Sequence, residues 1–195
     1  HGFISDTKKD IDNYKKALSI YEEQENEVGI AYANNNIGAL KNSLGKPKEA
    51  IEYFMKSLEI EDKIGNDKGK SICYTNIANA FVIEGNWVEA EENYSKALEL
   101  SYNIQDTKEI ANIKLNQGVM SMYKNDLDNA ISQFKNAIDV YQILSDNFGL
   151  YTSYYNIGLV YEKKNIAKSS IDFFEKAFNE AKKLNAKTFA EATLN

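Results

Sequence analysis

Residues 76–98 read NIANAFVIEGNWVEAEENYSKAL, and this stretch decides the fold. Ile77, Ala80, Phe81 and Glu84 mark one helical face, and Ala90, Tyr94, Ala97 and Leu98 mark another at i, i+3, i+4 spacing. Between them Gly85 is a helix stop and Asn86 a cap for the helix that follows. The stretch therefore predicts two helices folded back on each other. Such a hairpin buries its faces only against neighbours of the same kind, so it implies an array.

The rest of the chain supplies the array. Shifted by 40 residues, the sequence falls on itself without a gap: Asn36-Ile37-Gly38 recurs as Asn76-Ile77-Ala78, Asn116-Gln117-Gly118 and Asn156-Ile157-Gly158. On the second helix, Ala50, Phe54 and Leu58 recur as Ala90, Tyr94 and Leu98, then Ala130, Phe134 and Ile138, then Ser170, Phe174 and Phe178. Four units follow, at 27–66, 67–106, 107–146 and 147–186. Residues 6–26 match the second helix of a preceding unit, and 187–195 match the start of a following one. Nothing of linker composition interrupts the series, so residues 1–195 are expected to form a single solenoid. Helices of about 17 residues would each be about 25 Å long.

Small residues recur in phase: Gly38, Ala78, Gly118 and Gly158 on the first helix, and Ser57, Ala97, Ala137 and Ala177 on the second. Glycine inside a helix costs about 1 kcal/mol relative to alanine, so the column needs a packing reason, here close approach of two antiparallel helices. Phe54, Tyr94, Phe134 and Phe174 are expected to fill the space beside each crossing and to touch the next unit.

These residues resemble the tetratricopeptide repeat, with its Leu-Gly-x2-Tyr and Ala-x3-Phe-x2-Ala pattern. The second unit fits best, with Ile77-Ala78, Phe81, Gly85, Ala90, Tyr94 and Ala97 in phase. The period is 40 rather than 34, Asp62 stands where the terminal proline would fall, and Lys41 and Ser121 replace the aromatic seen as Phe81 and Tyr161. The chain is similar to the longer-repeat subclass of kinesin light chains, spindle-orientation adaptors, and bacterial sensor kinases and peptide-responsive regulators. The resemblance implies an all-α fold: a right-handed α-solenoid, or superhelix, of antiparallel helix pairs, with the first helices lining a concave face. It also implies a binding scaffold for a peptide or protein, as the sensory or interaction part of a larger protein.

One column on that face is asparagine in all four units: Asn36, Asn76, Asn116 and Asn156. With 23 asparagines in 195 residues, four in register in any column has a chance of about one per cent. An amide both donates and accepts, so one per repeat could hold the backbone of an extended peptide in register. The other reading is that each amide ties its helix to the neighbouring unit. Around the column lie Asn79, Tyr123, Tyr155 and Lys163, within an apolar and aromatic floor that also takes in Tyr32, Asn35, Ile72, Thr75, Val82, Ile83, Leu115, Val119, Met122 and Leu159. The resemblance implies ligand contacts from these columns. A clamp for a carboxyl terminus needs paired basic residues on successive first helices, and only Lys163 occupies a matching column.

Composition narrows the partners. All 23 basic residues are lysine, the net charge is −6 and the pI about 5.0. That argues against nucleic acid and anionic lipid, and it removes the bidentate guanidinium contacts used on phosphate. No apolar run reaches the ~20 residues of a membrane span. The only histidine is His1, Cys73 is the only cysteine, and no glycine-rich phosphate loop occurs, so no catalytic, metal or cofactor site is expected. Cys73 falls on a packing face. Self-association through exposed repeat ends such as Ile11, Leu184 and Phe189 is the alternative function, giving a possible homo-oligomer. The chain starts at His1-Gly2 without an initiator methionine, which suggests a segment of a longer protein; the expected compartment is the cytoplasm.

Overall fold

The computed structural model describes residues 2–184, with side-chain surroundings from residue 7 onward. Among the described residues every element is a helix: α1 (Gly2–Glu23), α2 (Glu27–Ser43), α3 (Pro47–Lys63), α4 (Asp67–Glu84), α5 (Trp87–Asn103), α6 (Thr107–Tyr123), α7 (Leu127–Ile143), α8 (Asn147–Lys163) and α9 (Ala167–Lys183). The further helix expected from residue 187 lies outside the described residues. The chain divides into two compact units, residues 1–105 with α1–α5 and residues 106–195 with α6–α9.

A 20-residue beat lies beneath the 40-residue period. Every twentieth residue from 25 to 165 has a positive φ: Gly45, Gly65 and Gly85, but also Glu25, Gln105, Asn125, Ser145 and Asn165. Each reverses the chain after a helix by the same device. The N–H of the residue after each of these positions reaches back to a carbonyl in the last turn of the preceding helix, as from Asn66 to Glu61, Asn86 to Phe81 and Asp146 to Tyr141. That residue then starts the next helix. Asn26, Asn66, Asp106, Asp126 and Asp146 accept from an N–H of the new first turn. Asn86, the cap expected from sequence, makes no such bond; its amide donates to Glu84 instead, at 3.3 Å.

Within each unit, helices pack in chain order, most extensively within a repeat: α2 on α3 and α4 on α5, then α6 on α7 and α8 on α9. The small columns meet at these contacts. Ser57 Oγ donates to the Ala31 carbonyl at 2.9 Å, and Ser71 Oγ donates to the Ala97 carbonyl at 3.0 Å, so the same crossing is tied from opposite sides in consecutive repeats.

The glycine column has a more specific cause than backbone proximity. The rings of Phe54, Phe134 and Phe174 lie on Gly38, Gly118 and Gly158 of their own repeats, and an added β-carbon would come within 2.5–2.6 Å of the ring. Two of those rings also reach the following repeat: Phe54 clusters with Ile77 and Ala80, and Phe134 with Ile157 and Val160. In the second repeat the column holds Ala78, and the aromatic is Tyr94, whose hydroxyl donates to Asn79 Oδ1 at 2.6 Å.

Candidate functional site

Successive first helices touch within each unit, α2 with α4 and α6 with α8, and no comparable contact joins α3 to α5 or α7 to α9. The side on which first helices meet is therefore the inner side of each unit's curve. On that side every first helix shows a stripe at i, i+4, i+8, i+11 and i+15, positions that fall within one narrow arc of a helix. On α2 the stripe is Val28, Tyr32, Asn36, Ala39 and Ser43, and on α4 it is Lys68, Ile72, Asn76, Asn79 and Ile83. On α6 it is Lys108, Asn112, Asn116, Val119 and Tyr123, and on α8 it is Phe148, Thr152, Asn156, Leu159 and Lys163. None of these side chains is fully buried.

The four asparagines of the ladder column sit mid-stripe and are half-buried, but their amides are used differently. Asn36 and Asn156 donate back to their own helices, to the carbonyls of Tyr32 at 2.8 Å and Thr152 at 2.9 Å. Asn76 donates across to Asn35 Oδ1 on the preceding first helix, at 2.9 Å. The Asn116 side chain makes no hydrogen bond to any described residue. In the first unit the column thus ties helices together, and in the second it leaves an amide open.

The other expected residues divide in the same way. Asn79 accepts from Tyr94, as above. Tyr155 is half-buried, stacked at 6.0 Å on Tyr151 and packed at 5.5 Å on Phe174. Tyr123 projects from the end of α6 and is 66% exposed. Lys163 is exposed at the end of α8 and donates to the Met122 carbonyl at 3.3 Å, bridging the two first helices of the second unit. Thr75 and Val82, expected in the floor, are buried in the core. The stripe also runs one turn further toward the helix N-termini than expected, to Val28, Lys68, Lys108 and Phe148. These share a period-40 column four residues before Tyr32, and that register was available in the sequence.

Away from the inner side, a cleft of about 420 Å³ lies between α3 and α4, lined by Met55, Lys56, Leu58, Glu59, Asp62 and Tyr74. Cys73 is buried, and its thiol donates to Ser57 Oγ at 3.3 Å. Burial pushes the thiol up to about 11, so it is protonated at neutral pH and a poor nucleophile. No group of three potential metal ligands occurs among the described residues, and no described helix is long and apolar enough to cross a membrane. Of the expected apolar ends, Ile11 is buried, Leu184 is half-buried, and Phe189 lies outside the described residues.

Comparison with known proteins agrees with this architecture. A tetratricopeptide-repeat family model matches residues 29–103, and a soluble NSF attachment protein (SNAP) model matches residues 68–194. No curated protein matches. Among solved structures, a Rap protein complexed with competence and sporulation factor superposes with a TM-score of 0.87 at 17% identity, covering 97% of this chain and 53% of that one. The Rap conjugation gene regulator of plasmid pLS20, in complex with the Phr* peptide, gives 0.75 at 19% identity, covering 98% and 55%. BtubC from P. vanneervenii gives 0.70 at 21% identity, covering 93% and 75%. The chain thus spans about half the length of the two Rap proteins. With the 40-residue period, the paired helices and two family models that between them run from residue 29 to 194, the chain belongs to the tetratricopeptide-repeat proteins, its residues 68–194 falling within the SNAP family model.

Proposed function

We propose that the chain is a non-catalytic scaffold that receives a peptide segment of a partner on the inner stripes of its first helices. Asn116 is the foremost contact to the ligand backbone, and Asn36, Asn76 and Asn156 contribute from the same column. The observation that carries this reading is the open amide of Asn116. Asparagine is a weak helix former because its side chain competes for backbone groups, and here it sits mid-helix with no partner to offset that cost. Its two donors and one acceptor match the C=O and N–H of an extended peptide. Two of the structural neighbours are described as complexes, one with competence and sporulation factor and the other with the Phr* peptide, which supports the reading by likeness of fold. Another neighbour is described as aspartyl phosphate phosphatase F from Bacillus subtilis, but the thiol here is inert and the stripes hold no histidine or carboxylate.

The test is selection of a displayed library of random dodecapeptides on the chain, repeated with Asn116→Ala. The expected result is a selected set whose affinity falls about tenfold in the variant, the equivalent of about 1.4 kcal/mol for a paired amide. A set that binds both proteins equally removes Asn116 from the mechanism, and failure to select any peptide removes the function.

Self-association remains the second reading, on one observation. Ile143, Leu144 and Phe148 are 83%, 41% and 53% exposed around the α7–α8 turn, an apolar patch of the kind that marks contact surfaces. Sedimentation of the wild type beside Ile143→Asp tests it. A monomer at all concentrations rules it out.

A further inference from the structure

We infer that the inner face of the second unit selects peptides whose apolar anchors are flanked by acidic side chains. This rests on the peptide-binding reading above and specifies the ligand's charge.

The chain carries 29 carboxylates and a net charge of −6, yet none of those carboxylates stands on the inner stripes of the four first helices. First helices do contain acids, but only at their ends: Glu27, Asp67 and Glu109 in first turns, Glu84 and Glu162 in last turns. The bodies of the second helices, by contrast, bear them freely, as at Glu52, Glu59, Glu91, Glu92, Asp139 and Glu175. Within the four repeats, mid-helix acids stand on the second helices and not on the first.

In the second unit the charges left on the stripes are Lys108 and Lys163. Lys108 is neutralised by Asp146 at 2.8 Å. Lys163 rests on the Met122 carbonyl and has no carboxylate partner among the described residues. Its ammonium stands one stripe position beyond Leu159, and Tyr123 and Val119 hold the matching positions on α6.

A ligand inserting an apolar side chain among Val119, Tyr123 and Leu159 therefore meets one uncompensated cation at the rim and no carboxylate on the stripes. An acidic flank gains a charge-assisted hydrogen bond there. A basic flank faces like charge with no acid on the stripe to satisfy it, which discriminates by repulsion as much as by attraction. The acids of the second helices would attract basic peptides only diffusely, with strong screening by salt.

The experiment is the same dodecapeptide selection, run on the wild type and on Lys163→Glu at physiological ionic strength. Lys163 is exposed, so the variant is expected to melt with the wild type. The wild-type pool is expected to be enriched in Asp and Glu beside apolar residues, and the Lys163→Glu pool to lose that enrichment. Replacing the acids of a selected peptide by Ser should weaken its binding to the wild type at least fivefold and to the variant less than twofold. A wild-type pool that is neutral or rich in Lys and Arg, with peptide capture intact, overturns the charge inference and leaves the binding function standing. A selection that captures nothing overturns both.

Discussion

The ring of Tyr141 occupies the space a β-carbon on Gly149 would need: added there, that atom would stand 2.5 Å from the ring's Cδ1. The pair joins the second helix of one repeat to the first helix of the next, and it recurs in kind at Tyr21 with Gly29 and at Glu61 with Gly69. The Tyr141 hydroxyl donates to Asn112 Oδ1 at 2.7 Å, so the ring is held at its far end and has no freedom to retreat. Gly149→Ala is expected to destabilise the chain by about 1–2 kcal/mol: overpacking costs ~1–3 kcal/mol, and the better helix propensity of alanine returns part of it. Urea denaturation of the two proteins checks this. Equal stability would mean that the ring shifts freely.

Ser145 offers the opposite case. It reverses the chain after α7 with φ +52°, in the region where a β-carbon is strained and glycine is not. The same turn position holds glycine at 45, 65 and 85. Ser145→Gly is expected to stabilise the chain by about 1 kcal/mol, read as a raised melting temperature. Asn165→Gly should give less, because asparagine tolerates this conformation.

Acid should weaken the second unit through Asp146. Burial pushes its carboxyl upward, but the hydrogen bonds from Lys108 and from the Gly149 N–H outweigh burial and leave the pKa lowered. A carboxylate whose folded pKa lies below its unfolded value of about 3.9 adds stability at pH above that value. That contribution is lost as pH falls through the folded pKa. Asp146→Asn keeps an acceptor for the N–H of α8 but cannot ionise. Its deficit against the wild type, on the order of 1 kcal/mol at neutral pH, should shrink as pH falls through the lowered folded pKa of Asp146. A deficit that persists unchanged in acid would show that the charge is not the stabilising element.

What could be read from sequence and what could not follows from the range of the interactions. Gly38 against Phe54 and Ala78 against Tyr94 are periodic, so the hairpins and their stacking were legible from residue types in register. The left-handed turns at Glu25, Gln105 and Ser145 were not, because the residue types there disguise a conformation set by the helices on either side. Within the ladder, residue type alone gave Asn36, Asn76, Asn116 and Asn156 one appearance. Their hydrogen bonds depend on what lies opposite: Asn35 accepts from Asn76, whereas no described residue bonds the Asn116 amide. Likewise Tyr94 claims Asn79 because the second repeat carries a tyrosine, with a hydroxyl to donate, where the other repeats carry phenylalanine. The absence of acids from the inner stripes was present in the sequence, but it becomes visible only when the stripe is known to run from Val28 to Ser43 and its equivalents.

That difference within the ladder yields a test in which stability and binding move apart. Asn76→Ala removes the donor to Asn35 Oδ1, a bond spanning two repeats at 2.9 Å. Its loss of about 1 kcal/mol is only partly offset by the helix propensity gained, so the variant should be slightly less stable than the wild type. Asn116→Ala removes no bond to the protein and gains the same propensity, so it should be more stable by about 0.5 kcal/mol. If Asn116 serves a ligand, this more stable protein is also the one that binds selected peptides about tenfold more weakly. Thermal melts and anisotropy titrations on both variants decide the matter. A loss of stability in Asn116→Ala would place a protein partner opposite that amide and end its candidacy as the open rung.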